Sequence, residues 1–515
     1  MPRQTGFVKR TALFDPRWAK RAWHGSRAVS HCLPLVGMVF LAIGCQAPKK
    51  VRTHDDPSAI GQIPHASAGS TTYYAAVPPS APSLAGPHPL AFYIGHALSQ
   101  NPDIEVARKK VDAAAYRVPQ AASLRDPMLG VTVFPEPVQT AAGQQEVSLS
   151  ASQQLPWVGK LGTRAAAAEA DANMARAQLA AVELDVIEQV KRAYYELYFI
   201  EKAIGITQDN QRLLRDFAQI AESRYRTGKA SQQDVLRAQV EVSKLDDQLI
   251  RLRQQLDSSQ ARLARLLHIS PETPVRALDQ PPPEQIPLDL EHLYQRAIIQ
   301  RPDLHAQLAA AQRDRSNVDL ARLDYYPDLT AGVTWIGTSS AGLSAVANGD
   351  DPLLLGFSVN VPIYRKRLEA GVREAESRMV ASTRQYDSLR DRTAESVKDL
   401  YSQAISQYQL VKLFRDDILP KAEQTLEVSQ SAYQVGDVDF LTLIDNWQQL
   451  LRFQIAYYRL ESQLQQTMAG LERTVGGHLP TISPPERVPT PAPGKNAPPP
   501  PRPLPAPPRI KPDAE

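Results

Sequence analysis

Apolar residues recur every three or four positions over long stretches of the chain, a spacing that predicts helices. No proline occurs from Gly159 to Thr227, and a second such segment follows Gly228. The apolar positions are Leu179, Val182, Val186, Val190, Ala193, Leu197, Ile200 and Ile204, then Val242, Leu245, Leu249, Leu252, Leu256, Leu263 and Leu266. This is the pattern of a coiled-coil seam, so we expect the two helices to fold back as a hairpin. At about 1.5 Å per residue the longer helix spans on the order of 100 Å.

A second helical hairpin is predicted further along the chain. One helix is expected from about Leu368 to Val435, broken once at Pro420, and another from Phe440 to about Val475. The turns of the two hairpins resemble each other: YRTGKASQQDVLRAQ begins at Tyr225, and YQVGDVDFLTLIDNWQQ begins at Tyr433.

Four shorter segments alternate apolar with polar or small residues, which predicts β-strands. The apolar positions are Leu129, Val131 and Val133; Val147, Leu149 and Ala151; Ala331, Val333 and Trp335; and Leu353, Leu355, Phe357, Val359 and Val361. Each strand therefore has one apolar face. The pattern fits soluble hairpins with one buried face, and it also fits the strands of an outer-membrane barrel.

The chain contains an internal repeat. QNPDIEVARKK, from Gln100, returns as QRPDLHAQLAA, from Gln300. The same offset, 302 − 102 = 200, relates Ala97 to Ala297, Pro102 to Pro302, Asp103 to Asp303, Ala121 to Ala321 and Pro127 to Pro327. Proline suits the first position of a helix, so each half should open with a helix of about seven turns. Each half is then predicted as helix, β-hairpin, long helix, tight turn and helix.

Four strands cannot close a barrel, and open sheet edges are not tolerated in hydrocarbon. If the strands lie in a membrane, the chain must oligomerise. Two copies would give about eight strands with a plugged interior, and three would give about twelve with an aqueous bore. The hydrophilic helical hairpins would then extend the bore as a tube.

The N-terminal segment predicts export. The first 44 residues contain seven Lys or Arg and one Asp, and they end in the apolar run CLPLVGMVFLAIG, which is too short to span a membrane. LAIGC, Leu41 to Cys45, resembles a bacterial lipobox, which implies lipidation of Cys45; by the same resemblance Gln46 favours the outer membrane. The alternative is an ordinary secreted protein with an incidental cysteine.

Composition divides the chain into five parts. We expect a lipoprotein signal peptide over residues 1–44 and a Pro-, Ala- and Ser-rich tether over 45–87. The two repeats should occupy 88–285 and 286–477, and a Pro-rich disordered tail 478–515.

Charge and motif content exclude several classes of protein. The leader removes 7 of 58 basic and 1 of 55 acidic residues, so the net charge becomes 51 − 54 = −3, and no basic field for nucleic acid remains. Cys32 and Cys45 are the only cysteines, which excludes a disulfide framework. HExxH, CxxC, GxSxG and phosphate-binding glycine loops are absent, and His and Met show no ligand spacing. We therefore expect no enzyme, no cofactor and no metal site.

The doubled NPD/RPD openings, Pro127 and Pro327, and the glycine turns at Gly228 and Gly436 resemble the TolC family of outer-membrane efflux factors. The resemblance covers about residues 90–477. It implies a mainly α-helical homotrimer in which a twelve-stranded membrane β-barrel continues as an α-helical barrel. It also implies a passive exit duct, lipid-anchored in the bacterial outer membrane, that meets a periplasmic adaptor (membrane fusion) protein and an inner-membrane RND-type pump.

The expected cargo follows from one motif. QQLPWVGKLGTR, Gln153 to Arg164, resembles the Pro-Trp-x-Gly-Lys turn of the family's heavy-metal branch, so metal cations are expected. Drugs or a secreted polypeptide remain alternative cargoes. A non-channel periplasmic coiled-coil scaffold lipoprotein is an alternative of another class.

The same resemblance assigns a periplasmic gate to Asp445 and Asp234, the acidic residues that follow the two glycine turns. Thr442 stands where the family's best-known member has a second Asp, so a double acidic ring is not expected. A threefold ring of Asp445 carboxylates would favour cations. The alternative is that Asp445 is a solvated charge on a helix face.

The remaining candidates lie at the turns and at the strand ends. Gly228 and Gly436 should let the backbone reverse, and Lys229 and Asp437 are candidate adaptor contacts beside them. Asp439 is expected to be the N-cap of the helix that begins near Phe440, or an adaptor contact. Trp157 and Trp335 are placed at strand ends, as membrane-interface aromatics or as packed junction residues.

Overall fold

The computed structural model describes residues 84–279, 289–340 and 349–479. The predicted signal peptide, Cys45 and most of the predicted tether and tail lie outside these ranges. Within them, no helix combines the length and apolar character needed to cross a membrane.

The described residues form nine α-helices and six strands, with one π-helical turn. The first repeat contains β1 (Gly86–His88), α1 (Leu90–Gln100), α2 (Pro102–Ala122), β2 (Met128–Thr140), β3 (Gly143–Leu155), α3 (Lys160–Arg226), α4 (Gln232–Leu267) and β4 (Val275–Ala277). The second contains α5 (Leu290–Gln300), α6 (Pro302–Leu323), β5 (Leu329–Ser339), β6 (Leu353–Val359), α7 (Arg365–Leu413), the π-turn (Phe414–Ile418), α8 (Leu419–Val435) and α9 (Phe440–Val475).

The repeat has a structural basis in shared core positions. Ala97 and Ala297 are both buried, as are Ile104 and Leu304 at the start of α2 and α6. Pro102 and Pro302 each begin a helix, as predicted. These helices have 21 and 22 residues, about six turns instead of seven, and each is preceded by a separate 11-residue helix, α1 or α5. The extended residue before each proline separates the two helices.

The predicted helical hairpin is present. The 67-residue α3 packs against the 36-residue α4, and the seam positions that are fully buried are Val186, Val190, Ala193, Leu197, Ile200, Leu245, Leu249, Leu252, Leu263 and Leu266. The remaining seam residues lie partly buried beside them.

The second hairpin differs from the prediction at Pro420. The helix does not break there; instead the π-turn joins α7 to α8, and the Leu419 N–H donates to the Phe414 carbonyl. A π-turn adds one residue to the turn, which moves the carbonyl that the Pro420 ring would otherwise strike. The axis therefore continues through the proline.

The four longer strands form one antiparallel sheet in the order β2-β3-β5-β6. Leu149 pairs with Trp335 and Trp335 pairs with Leu353, so the two predicted hairpins are joined through β3 and β5. Strands β2 and β6 are the sheet edges. The apolar residues on these edges are exposed: Leu129, Val131, Val133, Leu353, Leu355, Phe357 and Val359.

Both ends of the folded body extend beyond the predicted boundaries. Strand β1 pairs in parallel with β4, and Leu84 is buried, so the last residues of the predicted tether belong to the fold. Leu479, assigned to the tail, is fully buried in the core around Leu471. A three-residue parallel pair is too short to show a period, so it could not be predicted from the pattern of residues.

Polar contacts join the two repeats along α3 and α9. The Tyr198 hydroxyl donates to Glu461 at 3.0 Å, and the Ser462 hydroxyl donates to the Tyr195 carbonyl at 2.7 Å. Arg459 pairs with Glu196 at 2.9 Å. The last helix of the second repeat is thus held against the first helix of the opposite hairpin.

Candidate functional site

Both helical hairpins reverse at a glycine in the left-handed conformation. Gly228 has φ of +71° and Gly436 has φ of +100°, a region that strains any residue with a Cβ. The residue after each glycine closes the preceding helix: the Lys229 N–H donates to the Arg224 carbonyl, and the Asp437 N–H donates to the Ala432 carbonyl. Such contacts satisfy carbonyls at helix C-termini. Both glycines therefore lie at the turns between antiparallel helices, as predicted from the sequence.

The helices that leave the two turns begin with side-chain caps. Ser231 and Asp234 form a reciprocal capping box at the start of α4, in which Asp234 accepts from the Ser231 N–H at 3.2 Å. Asp439 is the N-cap of α9 and accepts from the Thr442 N–H at 3.1 Å. The hydrogen bonds from Thr442 hold the pKa of the Asp439 carboxyl below its usual range. Asp439 is thus a cap, the first of its two predicted roles.

Arg224 ties the two turns together. Its guanidinium donates to the carbonyls of Tyr433 and Gln434, the second at 2.9 Å, and lies 4.9 Å from the centroid of the Tyr433 ring. Tyr433 is itself buried, in the core that contains Phe440. This contact could not be predicted from the sequence, because Arg224 lies outside the quoted turn sequences and Tyr433, which begins the second of them, is 209 positions away.

A single cleft lies between the two turns. It is lined by Gly228, Lys229, Asp234, Gly436, Asp437 and Asp439, together with Arg224 and Tyr433. The structure thus brings together all five residues predicted for the hairpin tips, and adds Asp234. Basic and acidic side chains face each other across this cleft, which suits a polar protein partner.

The predicted gate residues are not equivalent to one another. The Asp234 carboxylate is engaged in the capping box. Thr442 lies exposed in the first turn of α9, and Asp445 lies exposed about one turn further on. In the described part of the chain, the Asp445 side chain has no hydrogen bond or ion pair. Asp445 is therefore the candidate whose carboxylate is unengaged in the single chain.

The two predicted interface tryptophans lie in different settings. Trp157 follows β3 and is 41% exposed, with its ring stacked on Tyr326 at 5.2 Å. Trp335 lies inside β5, between Leu149 and Leu353, so its expected position at a strand end is wrong. The strand continues beyond it because Thr338 and Ser339 pair with β3, and polar residues of this kind extend a strand without an apolar signal.

The Pro-Trp-x-Gly-Lys turn forms a joint between the repeats. Lys160 is 3% exposed, and its ammonium lies 2.9 Å from Asp328 Oδ1 and 3.4 Å from Asp324 Oδ1. The Trp157 N–H donates to the same Asp328 oxygen at 2.9 Å. Gly159, with φ of +92°, starts α3. Across the described ranges, no group of three His, Cys, Asp or Glu side chains is arranged to hold a metal ion.

Comparison with known proteins agrees with this architecture. The family model described as outer membrane efflux protein matches residues 93–267 and 293–477. The cobalt-zinc-cadmium resistance protein CzcC of Cupriavidus metallidurans is 23% identical over 421 residues, covering 79% of this chain and 95% of that protein. The pyoverdine export outer membrane protein OpmQ of Pseudomonas putida is 24% identical, covering 66% and 72%. The outer membrane protein VceC of Vibrio cholerae has the same fold, with a TM-score of 0.64 at 20% identity, covering 76% and 96%.

Proposed function

Since the chain belongs to the outer membrane efflux protein family, whose TolC-like members are ducts and not enzymes, we propose that it is the trimeric exit duct of a tripartite pump that expels metal cations. An adaptor protein would bind the hairpin tips, and an inner-membrane RND-type pump would supply the energy. Efflux and an outer-membrane location follow from membership of the family. We propose, in addition, the trimer, the adaptor contacts, the gate and the cargo.

The unpaired sheet edges support the trimer. Strands β2 and β6 have no partner on their outer sides within the described chain, and their apolar residues are exposed. Unpaired backbone groups are costly in hydrocarbon, so β6 of one protomer should pair with β2 of the next. Three copies of a four-stranded sheet would then close a twelve-stranded barrel.

The unengaged carboxylate of Asp445 supports the gate. In a trimer three copies of this residue would surround one axis near the hairpin tips, and a ring of carboxylates attracts cations and repels anions. The engaged Asp234 would support the tip structure, and Thr442 would add a neutral polar position beside the ring.

The test is single-channel conductance of the detergent-extracted oligomer in planar bilayers. We expect a small, cation-selective conductance, and an increase together with loss of selectivity in Asp445→Ala. Asp257→Ala is the matched control, because Asp257 is an exposed carboxylate on α4 about 35 Å from the turn. Absence of conductance in all three proteins, with extraction into buffer lacking detergent, would contradict the duct and favour a scaffold.

The cargo proposal is supported by the likeness to CzcC and by the Pro-Trp-x-Gly-Lys turn. Deletion of the gene in its own host should increase growth inhibition by Co²⁺, Zn²⁺ or Cd²⁺ severalfold. Unchanged metal tolerance, with accumulation of pyoverdine inside the cell, would instead assign the cargo named for the relative OpmQ.

Lipid anchoring is proposed from the LAIGC sequence. Cells grown with an alkyne-labelled fatty acid should incorporate the label into the wild-type protein and not into Cys45→Ala. Equal labelling of the two proteins would reject Cys45 as the anchor.

A further inference from the structure

One end of the sheet carries all four connections to the helices. Leu155 pairs with Leu329 and Leu329 pairs with Val359, so β3 ends, β5 begins and β6 ends at the same level. Met128, the first residue of β2, pairs with Ser152 near that level. The long helices α3 and α7 both leave the sheet from this end.

Three consecutive cations lie at this end, at the start of α7. Arg365, Lys366 and Arg367 are all exposed, and they occupy the first helical turn. Among the described residues, neither Lys366 nor Arg367 forms an ion pair, whereas Arg373 and Arg378 on the same helix pair with Glu369 and Glu374. We call these three residues the basic junction.

Exposed apolar and aromatic side chains directly precede the basic junction. Val361, Ile363 and Tyr364 are 69%, 65% and 70% exposed, so the chain passes from an apolar strand through an aromatic residue to three cations. Amphipathic aromatic and long basic side chains are enriched where a protein crosses from hydrocarbon to water. Along the chain, these residues therefore follow the order of the layers at a membrane surface, from hydrocarbon through the interface to water.

The exposed aromatics of the neighbouring strands lie at the same level. Trp157 stacks on Tyr326, and the adjacent Tyr325 ring lies 5.6 Å from the Arg365 guanidinium. Strands β3 and β6 are separated by β5 alone, which places them about 10 Å apart. Trp157 is thus a near neighbour of the basic junction and can report on what binds there.

The helix starts at the two ends of the hairpins differ in charge. At the tips, α4 and α9 begin with side-chain caps. At the sheet end, α3 and α7 have no side-chain cap and no acidic residue in the first turn. Cations at a helix N-terminus add to the positive end of the helix dipole and are unfavourable without an anion nearby.

We propose that the basic junction binds the phosphate groups of anionic phospholipids in the leaflet from which the helices emerge. The inference rests on the proposed membrane insertion of the sheet. Exposed cations beside exposed apolar side chains complement a layer that has negative headgroups above acyl chains. Because the Arg365 guanidinium lies against the Tyr325 ring, Lys366 and Arg367 should determine which lipid headgroup is preferred.

The test uses Trp157 fluorescence in vesicles with brominated lipids, which quench a tryptophan that they touch. Trp18, Trp23, Trp335 and Trp447 are replaced by Phe in the full chain, so that Trp157 alone emits. The protein is reconstituted in phosphatidylcholine containing brominated phosphatidylcholine or brominated phosphatidylglycerol, at low ionic strength. We expect phosphatidylglycerol to quench at severalfold lower mole fraction, because each cation contributes up to roughly fivefold.

Lys366→Gln/Arg367→Gln should abolish this preference, and Arg392→Gln/Lys398→Gln should retain it. The control pair removes the same charge from exposed positions of α7 about 40 Å further along the helix. Quenching by brominated phosphatidylcholine in every variant shows that the sheet is inserted. With insertion shown, equal quenching by the two lipids in the wild type, or a preference unchanged in the junction variant, would overturn the inference. No quenching by either lipid would instead reject the membrane insertion on which it rests.

Discussion

At the scale of single residues, the buried charge of Lys160 helps to hold the two repeats of this chain together. Lys160 opens α3 in the first repeat and pairs with the largely buried Asp328 of the second, while the exposed Asp324 lies 3.4 Å from its ammonium. A buried ion pair adds little net stability compared with an apolar pair, but removal of one partner leaves the other charged and desolvated.

Lys160→Met is therefore expected to lower the free energy of unfolding by about 3–5 kcal/mol. Urea denaturation of the purified protein in detergent, followed by circular dichroism, measures this loss. Lys160→Met/Asp328→Leu should recover part of it, because both charges are then absent. A single variant as stable as the wild type would show that the joint does not depend on the pair.

Glu461 predicts how stability responds to pH. It lies on α9, faces α3 and is 8% exposed. Burial raises the pKa of its carboxyl, and this rise is partly offset by hydrogen bonds from Tyr198 and Tyr457 and by the charges of Lys202 and Arg415. Because the folded pKa is above the unfolded value, the stability from this group is complete below the unfolded pKa. It is lost as pH rises through the folded pKa.

Glu461→Gln keeps a hydrogen-bond acceptor and removes the ionisation. Its melting temperature should fall less than that of the wild type between pH 4.5 and pH 7, and at pH 7 the variant should be the more stable. Glu427→Gln, at an exposed position of α8, should follow the wild type at each pH. Equal pH dependence of wild type and Glu461→Gln would mean that the carboxylate is solvated.

At the scale of elements, the π-turn between α7 and α8 is an adjustment of register. One extra residue between Phe414 and Ile418 accommodates Pro420 and keeps Leu426 and Tyr433 facing the core. Deletion of Asp416 would restore α-helical spacing and drive the Pro420 ring into a carbonyl one turn earlier.

We expect deletion of Asp416 alone to reduce the yield of folded protein, and Pro420→Ala in the same chain to restore it. Deletion of Ser402, in the regular part of α7, should not be rescued by Pro420→Ala, because every later residue then rotates by about 100°. Folded yield is measured as the heat-sensitive oligomer on unheated gels. Full tolerance of the Asp416 deletion alone would remove proline as the cause of the π-turn.

Strand β6 gives the second prediction at this scale. Phe357 and Ser358 are adjacent and both exposed, but the alternation assigns them to opposite faces. In the proposed barrel, Phe357→Arg would place a cation in hydrocarbon at a cost of about 2–4 kcal/mol, whereas Ser358→Arg would face the bore. Membrane insertion in vesicles should fail in the first variant and proceed in the second. The reverse result would exchange the two faces of the sheet.

The longer elements could be predicted because each has a period: the seams of α3 and α4 and the alternation in β2, β3, β5 and β6 are visible without a structure. The contacts between elements could not. Lys160 lies in the Pro-Trp-x-Gly-Lys motif and Asp328 directly follows Pro327 of the repeat, but nothing along the chain indicates that the second repeat supplies the partner of the first. The contact between Arg224 and Tyr433 could not be predicted either, because it exists only once both hairpins have formed.

At the scale of the whole molecule, the internal repeat and the proposed trimer together give six hairpins around one axis. Within a chain, Arg224 holds the tip of the first hairpin to the tip of the second. This contact lies within one chain. In the trimer, the width of the tube at its tip should therefore depend both on how firmly Arg224 holds neighbouring tips together and on the charge of the Asp445 ring.

These two contributions can be separated by measuring the open fraction and the cation selectivity of the channel. Arg224→Gln removes the guanidinium that spans the two turns, so the fraction of time spent in a large-conductance state should rise while cation selectivity is retained. Asp445→Ala should reduce selectivity, because it removes charge and leaves the brace in place. Arg215→Gln, an exposed cation on the same helix three turns before the tip, should change neither quantity. If Arg224→Gln altered selectivity and Asp445→Ala altered only the open fraction, the roles assigned to the two residues would have to be exchanged.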